Sequence, residues 1–297
     1  MLRSLSDNGQ VSVLAVDSTR LVAEAASRHG TAPTATAALG RALTGAALLG
    51  AFRKEREAVQ LNFNGRGELG SMIVIADTAG NAKGYVTNPH ADPPLRPDGK
   101  LNVGAAVGTG VLSVVRSHPL MKEPFTGVVP IRTGEIAEDI AHYLADSEQT
   151  QSAVALGVSL GRDGSVLAAG GFLLSVLPFA EDETLDQLEK NLSGLPSVSE
   201  LLKSGGTPAT LTETLLTGLG PVSYVGELAP QYGPCDEEDL KVRMKRAVAT
   251  LGRKEVRSII EEEGFLELTC EFCRHTYRMG DADIEEVLIR AEEFEST

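Results

Sequence analysis

The chain has 297 residues, is 42% hydrophobic but only 4% aromatic, contains no tryptophan, and carries a formal net charge of -14. That length fits one large domain plus a small one, with a core drawn mainly from Ala, Val, Leu and Ile. So acidic a chain repels phosphate backbones, and its basic residues are interleaved with acids rather than gathered in a patch, so nucleic acid is excluded as an expected partner.

Met1 to Gln10 has no apolar stretch of the signal-peptide kind, which sets the expectation of a reducing, cytoplasmic location. Val11 to Val16 alternates like a strand, and Asp17, Ser18 and Thr19 offer N-cap oxygens for a helix through Leu21 to Arg28. Thr34 or Thr36 is the expected cap of an Ala-rich helix ending near Phe52. Ala37 to Phe52 contains Arg41 and falls short of the ~20 residues a membrane span needs, so no membrane is expected as a partner. Val59 to Phe63, Ser71 to Ala76 and Lys83 to Val86 read as strands, and Asn88 to Gly99 as a Pro-rich loop. Ala105 to Ser117 and Phe125 to Pro130 are strand-like, and Ile136, Ile140 and Tyr143 share one face of a helix over Glu135 to Tyr143. Ser152 to Leu160 and Ser165 to Leu177 flank the turn Arg162-Asp163-Gly164.

Residues 1–178 thus read as one mixed α/β core. Residues 179–231 differ: Leu185 to Leu192, Val198 to Leu202 and Leu211 to Leu219 are short amphipathic pieces broken by Gly194, Pro196, Gly205-Gly206 and Pro208. Each is shorter than the ~12–15 residues at which an isolated helix becomes viable, so this segment reads as a metastable helical linker. In 232–297, helices are expected over Asp236 to Leu251 and Lys254 to Glu263, the latter stopped by Gly264. Strands follow over Phe265 to Thr269 and His275 to Met279, then an acidic helix over Asp281 to Phe294. The expected class is α+β: a core with β-sheets and packed helices, a helical linker, and a small C-terminal α+β zinc-binding domain.

Cys270-Glu271-Phe272-Cys273 is the sharpest motif. A turn between two strands aims both sulfurs at one point, which suits half of a tetrahedral zinc site or a reversible disulfide. Cys235, at a helix start, is the third cysteine and completes three thiolates. His275, Asp236 and a water molecule are the candidates for a fourth zinc ligand. Gly65 to Gly70 matches GxGxxG, but the sequence after it is β-rich where a nucleotide-binding fingerprint requires a helix, so hairpin glycines explain it. Asp139, His142 and Ser147 lack a nucleophile elbow and read as a helix end with its loop; Asn88 and Pro89 read as a strand end opening a loop. No catalytic constellation stands out, and the chain is not expected to be an enzyme.

Several stretches resemble the redox-regulated heat-shock holdases, the 33 kDa chaperonin family, over nearly the whole length. They are Ala37 to Arg41, Gly65 to Gly70, Gly84 to Pro89, Glu123 to Pro130, Gly134 to Tyr143, Ser147-Glu148-Gln149, Gly170 to Leu174, and Cys270 to Cys273 with Tyr277. The resemblance implies an ATP-independent chaperone for unfolding client proteins under oxidative stress. It implies four cysteines on zinc in a reduced, inactive form, two disulfides and zinc release on oxidation, unfolding of tail and linker, and a possible homodimer when oxidised. Carried onto this chain, the redox-active pair is Cys270 and Cys273, and the zinc ligands are Cys235, Cys270 and Cys273. The family's upstream pair is Cys-x-Cys; Cys235 fits its second member, but Gly233 occupies the first. The resemblance therefore implies one missing disulfide and a weaker zinc site. A holdase with degenerate or lost redox regulation, a thiol–disulfide oxidoreductase, and a zinc-ribbon module for nucleic acid are the rival readings.

Overall fold

The computed structural model describes residues 1–220, 222–235 and 237–295. The fold is α+β, and contacts divide the chain into two units, Met1–Gly233 and Pro234–Thr297.

The first unit opens with strands β1 (Leu2–Leu5) and β2 (Val11–Asp17), then helices α1 (Thr19–His29) and α2 (Pro33–Gly50). In α2 every residue except Pro33 and Arg41 is buried, as its run of Ala, Leu, Thr and Gly allows. Its N-terminus is not capped by Thr34 or Thr36. Ala32 is the N-cap, Pro33 occupies the first turn, and Asp92 from the following loop accepts hydrogen bonds from the Thr34 N–H and hydroxyl. Sequence proximity cannot show a cap supplied from a distant loop. At α1, Ser18 is the N-cap but makes no capping bond; its hydroxyl shares a 2.7 Å hydrogen bond with Thr44.

Strands β3 (Ala58–Gly65), β4 (Ser71–Asp77) and β5 (Ala82–Val86) form a meander. The stretch expected as one strand from Ala105 begins instead with a short helix, α3 (Val103–Val107), capped by Asn102, before β6 (Gly110–Ser117). The reason lies in Gly65 and Gly67, against which that helix packs: a Cβ on Gly65 would sit 1.9 Å from the Val107 carbonyl oxygen. GxGxxG here serves a close backbone approach, and β4 rather than a helix follows it. After β7 (Phe125–Ile131) come α4 (Ala137–Asp146), β8 (Ser152–Leu160) and β9 (Val166–Val176), then α5 (Asp182–Ser193), α6 (Val198–Lys203), α7 (Pro208–Leu215) and β10 (Ser223–Glu227).

Two antiparallel five-stranded sheets result, in the orders β10-β1-β2-β9-β8 and β5-β4-β3-β6-β7. Helices α1, α2 and α4 touch both sheets and fill the space between them. Alternation along β2 and β9 divides the first sheet between two cores. Val16 and Leu173 join the cluster around α2, whereas Val11, Val13, Ala15, Phe172 and Leu174 pack against Leu188, Val198, Leu202, Leu211 and Leu215 of α5–α7. The helical pieces expected as a linker therefore cover one whole sheet face, and the linker also contains a strand, β10, that periodicity alone did not reveal.

The second unit comprises α8 (Glu237–Ala249), α9 (Arg253–Glu263), the hairpin β11 (Leu266–Thr269) and β12 (Thr276–Met279), and α10 (Asp281–Glu295). Its core gathers Met244, Val248, Ala249, Val256, Leu266, Met279 and Val287. Gly264 ends α9 in the left-handed region, φ 75°, as its position after Glu263 leads one to expect.

Candidate functional site

The β11–β12 hairpin places both cysteines at its tip. Thr269 pairs with Thr276, and their hydroxyls share a 2.9 Å hydrogen bond that fixes the register just below the turn. The Cys270 N–H donates to the His275 carbonyl at 2.9 Å, and the Arg274 N–H donates back to the Cys270 carbonyl at 2.8 Å. Arg274 closes the loop at φ 58°, a conformation that L side chains adopt sparingly. The tight wrap sets Cys270 and Cys273 on one turn at the end of the hairpin. Cys273 is buried and Cys270 half-buried against the tail core, and neither is bonded to another cysteine.

Burial pushes the Cys270 thiol above its ordinary value. The Cys273 and Phe272 backbone amides act in the opposite direction, as expected for a turn, but they do not outweigh burial.

Around the hairpin, charge ties the helices together. Tyr277 donates to Asp283 at 2.5 Å, Lys245 reaches Asp283 and Glu286 at 2.6 Å each, and the Lys241 ammonium lies 5.4 Å from the centre of the Tyr277 ring. Lys245 and then Tyr277 hold the Asp283 carboxyl far below the usual carboxylate range, while the bonds to Asp283 and Glu286 raise Lys245. Tyr277 is thus a clamp between β12 and α10, a role that its isolated position in sequence did not announce.

Of the residues expected on a metal, the structure brings together Cys270 and Cys273. Cys235 is half-buried in the same unit, and His275 is exposed, lining a groove of about 170 Å³ with Glu238, Leu240, Lys241 and Tyr277. Asp236 lies outside the described residues. Among the described residues no group of three or more His, Cys, Asp or Glu side chains converges to hold a metal ion.

The other candidates are structural. Asp139 is fully buried and accepts the Arg132 and Thr133 N–H groups at 2.8 and 3.1 Å. Asn88 donates to the Glu68 carbonyl, and the Pro89 carbonyl accepts the Ala32 N–H just before α2. Glu148 of Ser147-Glu148-Gln149 accepts from Arg116 and from the buried Tyr143, whose hydroxyl is pushed up to about 12 by burial and then by Glu148. No helix among the described residues is long and apolar enough to cross a membrane.

A family model described as Hsp33 protein matches residues 1–280. This chain belongs to the Hsp33 family. The 33 kDa chaperonin of Desulforamulus reducens is 41% identical over 293 residues, covering 99% of this chain and 98% of that protein. The Thermus thermophilus 33 kDa chaperonin is 42% identical over 293 residues, covering 96% of this chain and 85% of its relative. The crystal structure of the Thermotoga maritima 33 kDa chaperonin, a heat shock protein 33 homologue, superposes with a TM-score of 0.87 at 33% identity, covering 99% of this chain and 97% of that one. The present protein is thus a chaperone of the Hsp33 type, and unfolded proteins are its class of client.

Proposed function

We propose that this Hsp33 protein is an ATP-independent holdase in the cytoplasm, and that oxidation of Cys270 and Cys273 to a disulfide uncovers its client-binding surface. The functional division proposed is a core over 1–178, a linker over 179–231 and a switch domain over 232–297. The observation that carries the reading is a pair of free thiols on one tight turn, packed beside the smallest apolar cluster among the described residues.

The chemistry runs through the two thiols. Peroxide oxidises one sulfur to a sulfenic acid with release of water; the other sulfur displaces the hydroxyl, a second water leaves, and the S–S bond forms. Two thiols lose two electrons and two protons, and one peroxide is reduced to two waters. Rearranging the turn around the buried Cys273 disturbs a tail whose described cluster of seven buried apolar residues is a marginal core, since small domains bury too little surface to tolerate much loss. The short helices α5–α7, each dependent on neighbours, then leave the first sheet. Val11, Val13, Ala15, Phe172 and Leu174 become a bare apolar face that captures unfolding chains by burial.

Cys235, Cys270 and Cys273 are the proposed sulfur donors for zinc, with His275 the described candidate for a fourth position. Because the described residues do not gather these into one group, and Gly233 replaces a cysteine, the metal is held more weakly than by four thiolates, and no step is assigned to it. The oxidised chain is proposed to form a homodimer, and no substrate is turned over. The turn context supports this reading over an oxidoreductase, in which the first cysteine of such a pair opens a helix. Gly233 favours one variant of the reading, a holdase with loosened regulation.

The test is light scattering of an aggregating client with the reduced protein, the peroxide-treated protein and a Cys270→Ser variant. Suppression by the oxidised wild type alone is expected. Equal suppression by all three removes the switch and leaves an unregulated holdase; none in any state removes the holdase.

A further inference from the structure

One segment, residues 223–233, closes an edge of each sheet in the first unit. β10 pairs antiparallel with β1 at the edge of the first sheet, Leu2 with Glu227 through Leu5 with Ser223. Directly after it, Tyr232 forms a parallel bridge with Ala82 on the outer edge of β5 in the second sheet. The Ala82 N–H donates to the Gln231 carbonyl at 2.9 Å, and the Gly233 N–H donates to the Ala82 carbonyl at 3.0 Å. Gly233 adopts φ 124°, which a cysteine at this position would adopt only under strain. Glycine at 233 thus permits the backbone conformation that the clasp uses.

The segment is held mostly by backbone hydrogen bonds and two side-chain latches. The Tyr232 hydroxyl donates to the Gly84 carbonyl at 3.1 Å and shares a 3.0 Å hydrogen bond with His29, and the Arg28 guanidinium lies 5.1 Å from the ring centre. Phe52 packs on Gly226 so closely that a Cβ there would sit 2.5 Å from the ring. Leu228 exchanges backbone hydrogen bonds with Met1 in both directions and packs with Tyr232 on the main core, and Tyr224 donates to Glu213, so the firm anchors lie after β10 and the strand itself is the open part. All residues of β10 except Gly226 are exposed, Tyr224 to 47% and Val225 to 51%, and the pairing with β1 is broken by a register shift at Arg3/Ser4. Behind residues 228–232 lies an open groove of about 980 Å³, lined also by Arg20, Leu21, Glu24 and Leu202, so one side of the segment faces solvent. Few buried contacts and exposed backbone bonds mark the low-stability end of a fold.

The sheet edges differ in how they resist added strands. β7, the uncovered edge of the second sheet, carries Pro130, which cannot donate to an incoming strand. β1 and β5 contain no proline, and those are the edges that the 223–233 segment covers.

We propose that β10 is a displaceable strand, and that the β1 edge it vacates takes an extended segment of an unfolded protein by β-strand addition. This rests on the holdase reading and deepens it by naming where and in what conformation a client is held. A ladder of backbone hydrogen bonds reads no side-chain sequence, which suits a chaperone with many clients, and β2 and β9 behind β1 give the added strand a sheet to extend. The apolar face bared by α5–α7 adjoins that edge, so one client segment extends the sheet while its alternate side chains lie on the same face as Val11, Val13 and Ala15.

Hydrogen exchange on the full chain, reduced, peroxide-treated, and peroxide-treated with reduced carboxymethylated α-lactalbumin, tests this. Peroxide is expected to speed exchange at residues 2–5 and 223–233. The client is expected to restore protection at 2–5 by about tenfold or more, but not at 223–233. Co-elution of client with residues 2–5 still exchanging fast, or with β10 still protected, overturns strand addition while leaving the holdase intact. Absence of co-elution in every state overturns both. A Tyr224→Pro variant, which unpairs β10 without touching β1, is expected to bind this client several-fold better than wild type when both are reduced; unchanged binding overturns the proposal.

Discussion

Met1–Gly233 builds two apolar clusters, one around the almost wholly buried α2, whereas Pro234–Thr297 gathers one small cluster beside a network of charge. Phe63, Leu61, Met72, Leu112 and Tyr143 are completely enclosed in the first unit, and at about 1.5–3 kcal/mol for each large apolar side chain, losing a few contacts there is tolerable. The second unit has no such reserve. The proposed redox pair, Cys270 and Cys273, stands in the unit with the smaller described apolar cluster, where joining two sulfurs is proposed to weigh most.

Breaking a core side chain in each unit sharpens this contrast. Phe63→Ala removes an enclosed aromatic ring and is expected to cost about 3–5 kcal/mol in chemical denaturation of the first unit. Leu266→Ala, at the start of β11, is expected to cost about 2–4 kcal/mol. That is enough to melt the second unit, seen as proteolysis within residues 179–231 and beyond 234 with a protected core. If the core is cleaved as readily, the two units do not differ as described.

A smaller effect probes the charge network. Tyr277→Phe removes a donor to Asp283 and is expected to lower tail stability by ~1 kcal/mol. Asp283 has a depressed pKa in the folded chain, so its stabilising contribution is complete above about pH 4 and is lost as pH falls through the acid range. Lys245 has a raised one, so its contribution is complete below about pH 10 and is lost as pH rises beyond that. Asp283→Asn is therefore expected to flatten the acid limb of tail melting and leave that of the core unchanged. The smallest effect is expected from Cys235→Ser: lower zinc content by metal analysis, with peroxide activation kept within about twofold, since the disulfide forms without Cys235.

Much of this architecture was legible in the sequence. Alternation gave β2 and β3, the turn at Arg162-Asp163-Gly164 gave β8 and β9, and the shared face of Ile136, Ile140 and Tyr143 gave α4. The turn between Thr269 and His275 followed from two short β-runs flanking close cysteines. What escaped was set by partners distant in sequence. Asp92 replaced Thr34 as the partner of the α2 terminus, close packing on Gly65 and Gly67 turned Val103–Val107 into a helix, and β1 recruited Ser223–Glu227 from a stretch read as helical linker. The cysteine pair was legible because spacing alone places its sulfurs. The fate of Cys235 and His275 was not, because it depends on how a helix start and a hairpin pack.

Exchange protection of the two units, measured amide by amide on one sample before and after peroxide, bears most directly on the claim that a bond at the tail's turn selectively undoes the weaker fold. The expected record is loss of protection across α8, α9 and the β11–β12 hairpin, with β3, β4 and β6 unchanged. A tail as protected after Cys270 and Cys273 are joined as before, or loss of protection at β3, β4 and β6 along with it, contradicts the account.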